Sequence, residues 1–449
     1  MRPPSVGFVS LGCAKNLVDS EHMASALRTD GIPLARSPEE AEVILINTCG
    51  FIGDAKEESV DAILAACARK KTGACKAVVV AGCLTQRYGA ELQRAIPEVD
   101  AWLGLDEIGG IGRIVRRLAR GERGLLQVSA HSKKIFSPFP SRVLLTGGPF
   151  AYLKIAEGCN HRCAFCAIPA IRGRYRSRTL PDVLREAEDL LARGIKELNL
   201  ISQDTTRYGL DLGGGASLPE LLRELGRLGG RFWVRLLYGH PSHVTDELLE
   251  TMAAVPQACQ YLDIPIQHSH PDVLRAMNRA GSVEAVLTLA DRARRLMPGV
   301  VLRTTCLVGF PGETDEHFED LVRFVRKTEF DHLGVFAYSR EEQTAAADLP
   351  RQVPAAVANR RRSRLMRIQQ GIVRRRFEER IGETDTVLMM ETPERVGQPW
   401  LARSRGQAPE VDGVTFVQAG GKTLRAGSFV KVRYTRLMGY DLEAVPFRA

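Results

Sequence analysis

Three cysteines stand close together at Cys159, Cys163 and Cys166, in the stretch EGCNHRCAFCAIP. Cysteines spaced C-x3-C-x2-C point to a metal, because a compartment that keeps thiols reduced leaves little use for a disulfide framework. A closed zinc or cubane iron–sulfur site takes four protein ligands. Here the next cysteine is Cys259, and no suitably spaced histidine follows soon after the trio. The open fourth position is itself informative. A 4Fe-4S cubane on three thiolates leaves one iron free to chelate the amino and carboxylate groups of S-adenosylmethionine. One electron then cleaves the carbon–sulfur bond and yields a 5′-deoxyadenosyl radical, chemistry that the cofactor pair supplies. The same spacing leaves two other classes open, a plain iron–sulfur electron carrier and a zinc-stabilised RNA-binding protein.

A second set of cysteines is spread wider. Cys13, Cys49 and Cys83 each follow a strand-like run, in VGFVSLGC, EVILINTCGF and AVVVAGC. These runs read as buried parallel strands joined by crossover helices, so residues 4–120 form a doubly wound α/β domain. The carboxyl ends of such strands share one edge, where sites form. One cysteine there is explained by a small residue in a tight turn. Three at equivalent positions point to a second metal site.

The first trio needs its own scaffold. Residues 121–145 read as a connector, broken by SPFPSR. Six strand candidates follow at 150–157, 196–202, 231–237, 259–266, 299–308 and 332–338, separated by helices. A full (β/α) barrel takes eight such units; residues 145–375 hold six, so a partial, open (β/α)6 barrel is expected. Cys159, Cys163 and Cys166 then lie in the loop after its first strand. Gln203, Arg235 and Gln267 lie on or near strand C-termini, where they face S-adenosylmethionine or substrate, or simply satisfy a polar barrel mouth. LVGFPGET (307–314) reads as a strand-to-helix turn near the adenosine rather than a phosphate loop. His268 and His270 lack ligand spacing, and Cys67, Cys75 and Cys259 read as packing residues. Residues 378–446 carry short alternating strands, as in a small five-stranded barrel of the OB type.

Composition sets the class. The chain has 449 residues, 44% of them hydrophobic, with a formal net charge of +9 and ten cysteines. Two or three domains are expected at this length. No apolar run reaches the roughly 20 residues of a membrane span, and the first residues lack a signal-peptide pattern, so a cytoplasmic protein without membrane contact is expected. The charge is local. Residues 360–380 hold nine arginines against Glu378 and Glu379, whereas residues 383–449 hold nine basic and eight acidic residues. The arginine run reads as a solvated linker helix or as a contact to RNA or a ribosomal surface.

With Phe165 before its last cysteine and a six-unit barrel behind it, the C-x3-C-x2-C motif resembles the radical S-adenosylmethionine superfamily. Together with the N-terminal trio and the terminal barrel, the whole chain resembles the methylthiotransferases. The resemblance implies that Cys159, Cys163 and Cys166 ligate the radical 4Fe-4S cluster, and that Cys13, Cys49 and Cys83 ligate an auxiliary one. It implies a TRAM domain at the C-terminus, Phe165 near S-adenosylmethionine, and two S-adenosylmethionine molecules per turnover. The family modifies either an adenosine beside the tRNA anticodon or an aspartate of small-subunit ribosomal protein S-12. SLGCAKNLVDSE, GCNHRCAFCAIPAIRG, ISQDTTRYG and YLDIPIQHS resemble the second branch. CAKN replaces the C-Q-M-N-like run of the tRNA branch, and the nearly neutral terminal barrel does not suit a grip on RNA. The implied partners are the ribosomal protein, free or in its subunit, and an electron donor; a monomer is expected. Cys306 in a strand and Gln407 in place of an acidic residue depart from the family pattern.

Overall fold

The computed structural model describes residues 2–135, 142–279, 283–395, 397–421 and 423–447. All of SPFPSR except Arg142 lies outside them. The chain gathers into two compact units. The first comprises Met1–Leu145, Lys154–Arg178 and Ser339–Ala347, and the second comprises Thr146–Leu153, Thr179–Tyr338 and Asp348–Ala449.

In the first unit, β1 (Val6–Ser10), β2 (Val43–Thr48), β3 (Ala77–Gly82), β4 (Ala101–Leu103) and β5 (Leu125–Gln127) form one sheet in that order. All its pairings are parallel. The strands β2 and β3 are buried along their whole length, so both sheet faces need cover. Because strand side chains alternate between faces, Val43, Leu45 and Val79 meet α1 (Ala14–Thr29) and α4 (Ile111–Ala119) through Met23, Leu27 and Ile114. Ile44, Ile46, Val78 and Val80 meet α2 (Gly53–Thr72) and α3 (Cys83–Ala95) through Ile63 and Leu84. The fifth strand is a correction to the connector expected over 121–145. Its three residues, Leu125–Gln127, are too few to show a period of two.

The same unit contains the loop after the first barrel strand. A two-stranded ribbon, β7 (Ala156–Glu157) with β8 (Arg176–Ser177), brackets that loop, and α5 (Ile168–Arg172) closes it.

The second unit holds the open barrel. Its strands β6 (Phe150–Lys154), β9 (Glu197–Ile201), β10 (Trp233–Leu236), β11 (Ala258–Asp263), β12 (Val301–Val308) and β13 (His332–Ala337) lie in sequence order, with β6 and β13 at the edges. Helices α6 (Leu180–Ala192), α7 (Leu218–Arg227), α8 (Asp246–Ala254), α9 (Pro271–Ala276), α10 (Val283–Leu296) and α11 (Asp315–Thr328) fall between them. After α12 (Ala355–Glu378), strands β14 (Thr384–Glu391), β15 (Trp400–Ser404), β16 (Thr415–Val417), β17 (Phe429–Met438) and β18 (Asp441–Pro446) close into a barrel. Val373 and Phe377 of α12 join its core.

The arginine run lies largely on α12, and most of its charge is matched. Arg361 pairs with Glu313 at 3.0 Å and Asp315 at 2.7 Å, Arg376 with Asp331 at 2.9 Å, and Arg380 with Asp385 at 2.9 Å. Arg364 meets Glu319, Arg375 meets Glu329, and Arg374 meets Glu378. Most of these acids lie outside 360–380, so the helix is an internally paired strut rather than a bare cationic stripe.

The segment from Arg403 to Asp412 fills the inside of the open sheet. Arg403 reaches Glu197 of β9 at 2.5 Å. The Arg405 carbonyl accepts from Arg235 of β10 at 2.7 Å, and Gly406 O lies 2.8 Å from His332 Nε2 of β13. Glu410 accepts from Tyr152 of β6 at 2.6 Å. Asp412 accepts from Tyr261 of β11 at 2.6 Å and sits 3.3 Å from Arg303 of β12. Every barrel strand therefore contributes a side chain to this one segment. Gln407 is buried within it, accepting from Ser404 N and Thr415 Oγ1, both at 2.9 Å.

Candidate active site

The strands β1, β2 and β3 are neighbours in register. Adjacent strands lie about 4.8 Å apart, so the turns that leave them are neighbours too. Cys13 caps the N-terminus of α1, Cys49 follows β2 directly, and Cys83 opens α3. Two of the three cysteines, Cys13 and Cys83, therefore stand at a helix N-terminus. The turns pack closely because their neighbours lack side chains. At Gly50 a Cβ would lie 2.7 Å from Leu84 Cα, and at Gly82, with φ of +103°, it would lie 2.3 Å from Asn47 Oδ1. Burial raises the Cys49 thiol and pushes Cys83 up to about 12, while the Arg172 guanidinium works the other way on both.

The second trio is held by the ribbon and α5. Cys159 N donates to Gly173 O at 3.1 Å and Cys166 N to Cys163 O at 3.0 Å, which curls the loop; all three cysteines are half-buried. None of the ten cysteines is in a disulfide. Each trio offers only soft thiolate donors with no carboxylate among them, a donor set that fits an iron–sulfur cubane. That fit does not extend to another group of side chains. His270 and His317 have facing rings at 4.1 Å. Their Nδ1 atoms accept from Asp272 N and Thr314 N, at 3.2 and 3.3 Å. That leaves the proton on Nε2, the opposite of a metal-ligating imidazole, whose second nitrogen donates. They are helix caps.

A buried charged cluster, not evident from the sequence, adjoins Cys83 and flanks the loop of the second trio in the chain. Arg172 donates to Glu157 at 2.9 Å, Asp19 at 2.9 Å, Asn16 Oδ1 at 2.6 Å and Cys83 Sγ at 3.3 Å. Lys154 meets Asp19 and, at 2.7 Å, Glu157. The side chains of Arg172, Asp19 and Lys154 are each 2% exposed. Burial disfavours charge on Arg172, but Cys83, Glu157 and Asp19 hold its pKa well above the usual value. Asn16 and Asp19 share one face of α1 in CAKNLVDSE, a spacing of three that could have pointed to this role.

The four polar or aromatic candidates separate. Phe165 is half-buried in the cysteine loop; Gln203 and Gln267 follow β9 and β11 on the side of the strand ends. Of the two roles expected for Arg235, polar satisfaction is the one its protein contacts describe. It is fully buried, bound to Glu197 at 2.8 Å and to the Arg405 carbonyl, with its guanidinium 4.6 Å from the Tyr261 ring centre. It therefore faces the Arg403–Asp412 segment. LVGFPGET is the turn from β12 to α11, and within it Gly309 N and Phe310 N donate to Glu313 at 2.6 and 3.2 Å.

Comparison with known proteins gives these features a family. Residues 153–325 match the radical SAM superfamily, residues 5–104 the uncharacterized protein family UPF0004, and residues 381–446 the TRAM domain. The ribosomal protein uS12 methylthiotransferase RimO of Symbiobacterium thermophilum is 47% identical over 98% of this chain and 90% of its own. That of Pelotomaculum thermopropionicum is 46% identical over 97% and 98%. The chain belongs to the RimO family of ribosomal protein uS12 methylthiotransferases. A solved structure of the radical S-adenosylmethionine methyltransferase TsrM from Kitasatospora setae, with cobalamin and a [4Fe-4S] cluster bound, shares the fold. It has a TM-score of 0.57, 17% identity, and coverage of 77% of each chain. Among the described residues, no helix is long and apolar enough to cross a membrane.

Proposed function

We propose that this enzyme methylthiolates ribosomal protein uS12 by radical S-adenosylmethionine chemistry, at the β-carbon of one aspartate. The observation that carries the reading is the gathering of two all-thiol trios into one compact unit, each at a strand-exit edge. Cys159, Cys163 and Cys166 would hold one 4Fe-4S cluster, with its fourth position left for S-adenosylmethionine. Cys13, Cys49 and Cys83 would hold the other. Bound together, two clusters and two S-adenosylmethionine molecules per turnover supply a radical for hydrogen abstraction and a methylated sulfur for transfer. The chain itself holds and shields. Phe165, Gln203 and Gln267 would orient cofactor or substrate, keeping the reacting atoms near contact distance and away from water. An external electron donor is required, and the enzyme acts as a monomer in the cytoplasm, on free protein or assembled subunit.

The test is an anaerobic assay of uS12, or a peptide of its target loop, beside anticodon-loop RNA. A methylthio group gained by the aspartate alone supports the reading. Modification of the RNA alone would transfer the enzyme to the tRNA branch. Zinc in place of iron and sulfide, or clusters without S-adenosylmethionine cleavage, would remove the radical chemistry altogether.

A further inference from the structure

We infer that Arg172 is a positioning residue for the auxiliary cluster: it donates to the Cys83 sulfur and raises that cluster's reduction potential. The inference rests on the assignment of Cys13, Cys49 and Cys83 as cluster ligands.

Arg172 is the last residue of α5, the helix that closes the loop carrying Cys159, Cys163 and Cys166. Its Nη2 points at the other trio, 3.3 Å from Cys83 Sγ. The remaining contacts fix that direction. Glu157 takes Nη1 at 2.9 Å, while Asp19 and Asn16, from the first turns of α1, take Nη2 at 2.9 and 2.6 Å. Two cations, Arg172 and Lys154, face two carboxylates, Asp19 and Glu157. A salt bridge alone would not need a guanidinium aimed at sulfur, since Lys154 already bridges both acids.

A ligated Cys83 is a thiolate, and reduction adds further negative charge to the cluster. A fixed, water-excluded cation that donates to a ligand sulfur favours the reduced form, because net charge and hydrogen bonds to sulfur are principal determinants of cluster potentials. Replacing it with an apolar side chain makes reduction harder. One short helix thus closes the loop of one trio and tunes the other.

The experiment uses the full chain with Cys159, Cys163 and Cys166 replaced by Ala, reconstituted anaerobically so that only the auxiliary site is filled. This parent is expected to hold about four irons, one cubane. Its midpoint is read by redox titration followed by electron paramagnetic resonance. Arg172→Met is expected to keep the iron and shift the midpoint to more negative potential; Arg172→Lys, which keeps the charge, is expected to recover part of the shift. A parent without a cluster overturns the ligand assignment and the inference with it. Equal midpoints in parent and Arg172→Met, both carrying four irons, overturn the inference alone. Should Arg172→Met lose its cluster, the parent labelled with 15N-arginine decides. A nitrogen coupling to the reduced cluster that changes with the label supports the contact, and its absence overturns it.

Discussion

Glu197 and Arg403 meet at 2.5 Å although 206 residues separate them, and their side chains are 0% and 3% exposed. Burial alone would raise the Glu197 pKa, yet Arg403 and Arg235 hold it below the usual range. Removing one partner of a buried pair typically costs about 3–5 kcal/mol, because the other charge stays behind unpaired. Glu197→Ala strands two arginines and is expected to lower unfolding stability by about that amount. Chemical denaturation measures it; a loss below about 1 kcal/mol, the worth of an exposed pair, would deny the segment its role.

The two cysteine trios are expected to behave independently in iron content. The intact enzyme should bind about eight irons, and a chain with Cys13, Cys49 and Cys83 replaced by Ala about four. That variant should still form 5′-deoxyadenosine under reducing conditions but make no methylthiolated product. Persisting product would show that the first-domain trio is not required for sulfur transfer.

Gly82 gives a finer probe of the same edge. Its φ of +103° and the 2.3 Å approach of Asn47 Oδ1 leave no place for a Cβ. Forcing a residue with a Cβ into such backbone costs on the order of 1–3 kcal/mol, and the turn before Cys83 must shift. Gly82→Ala is expected to lower auxiliary iron and product formation while S-adenosylmethionine cleavage continues. Full iron occupancy in a correctly folded variant would show that the turn tolerates the shift.

Acid lability should include a contribution from His268. Burial, with His270, His317 and Arg361 nearby, lowers its pKa from 6.5 to about 3. Its folded-state pKa lies below the unfolded one, so it costs nothing above about pH 6.5. As pH falls from there toward about 3, the unfolded state takes the proton first and stability drops, by up to about 1.4 kcal/mol per pH unit. His268→Gln is expected to flatten the stability profile in that window. An unchanged slope between pH 6 and 4 would place the acid sensitivity elsewhere.

The fold was legible where residues repeat with the period of their element. The six barrel strands read as apolar runs, and each cysteine of the N-terminal trio follows such a run. What escaped was long-range pairing. Arg235 read as a site residue because it lies in a barrel strand near its end; its buried partners, Glu197 and the Arg405 carbonyl, are 38 and 170 residues away. The arginines of α12 read as surplus charge because most of their partners, Glu313 through Asp331 and Asp385, lie outside the run. Arg172 lay in plain view beside the cysteine motif, but only the folded chain brings Cys83 to it.

The Arg403–Asp412 segment has a consequence for how the chain is made. Tyr152 and its partner Glu410 are 258 residues apart, so at about 5–20 residues per second the ribosome needs roughly ten seconds to a minute to deliver the second after the first. Until the segment arrives, Glu197 lacks Arg403, Tyr261 and Arg303 lack Asp412, and Arg235 has Glu197 but not the Arg405 carbonyl. A transcript cut short before residue 403 would leave those pairings unmade for good. The C-terminal barrel is therefore not a detachable accessory but the last-arriving piece of the enzyme's own interior.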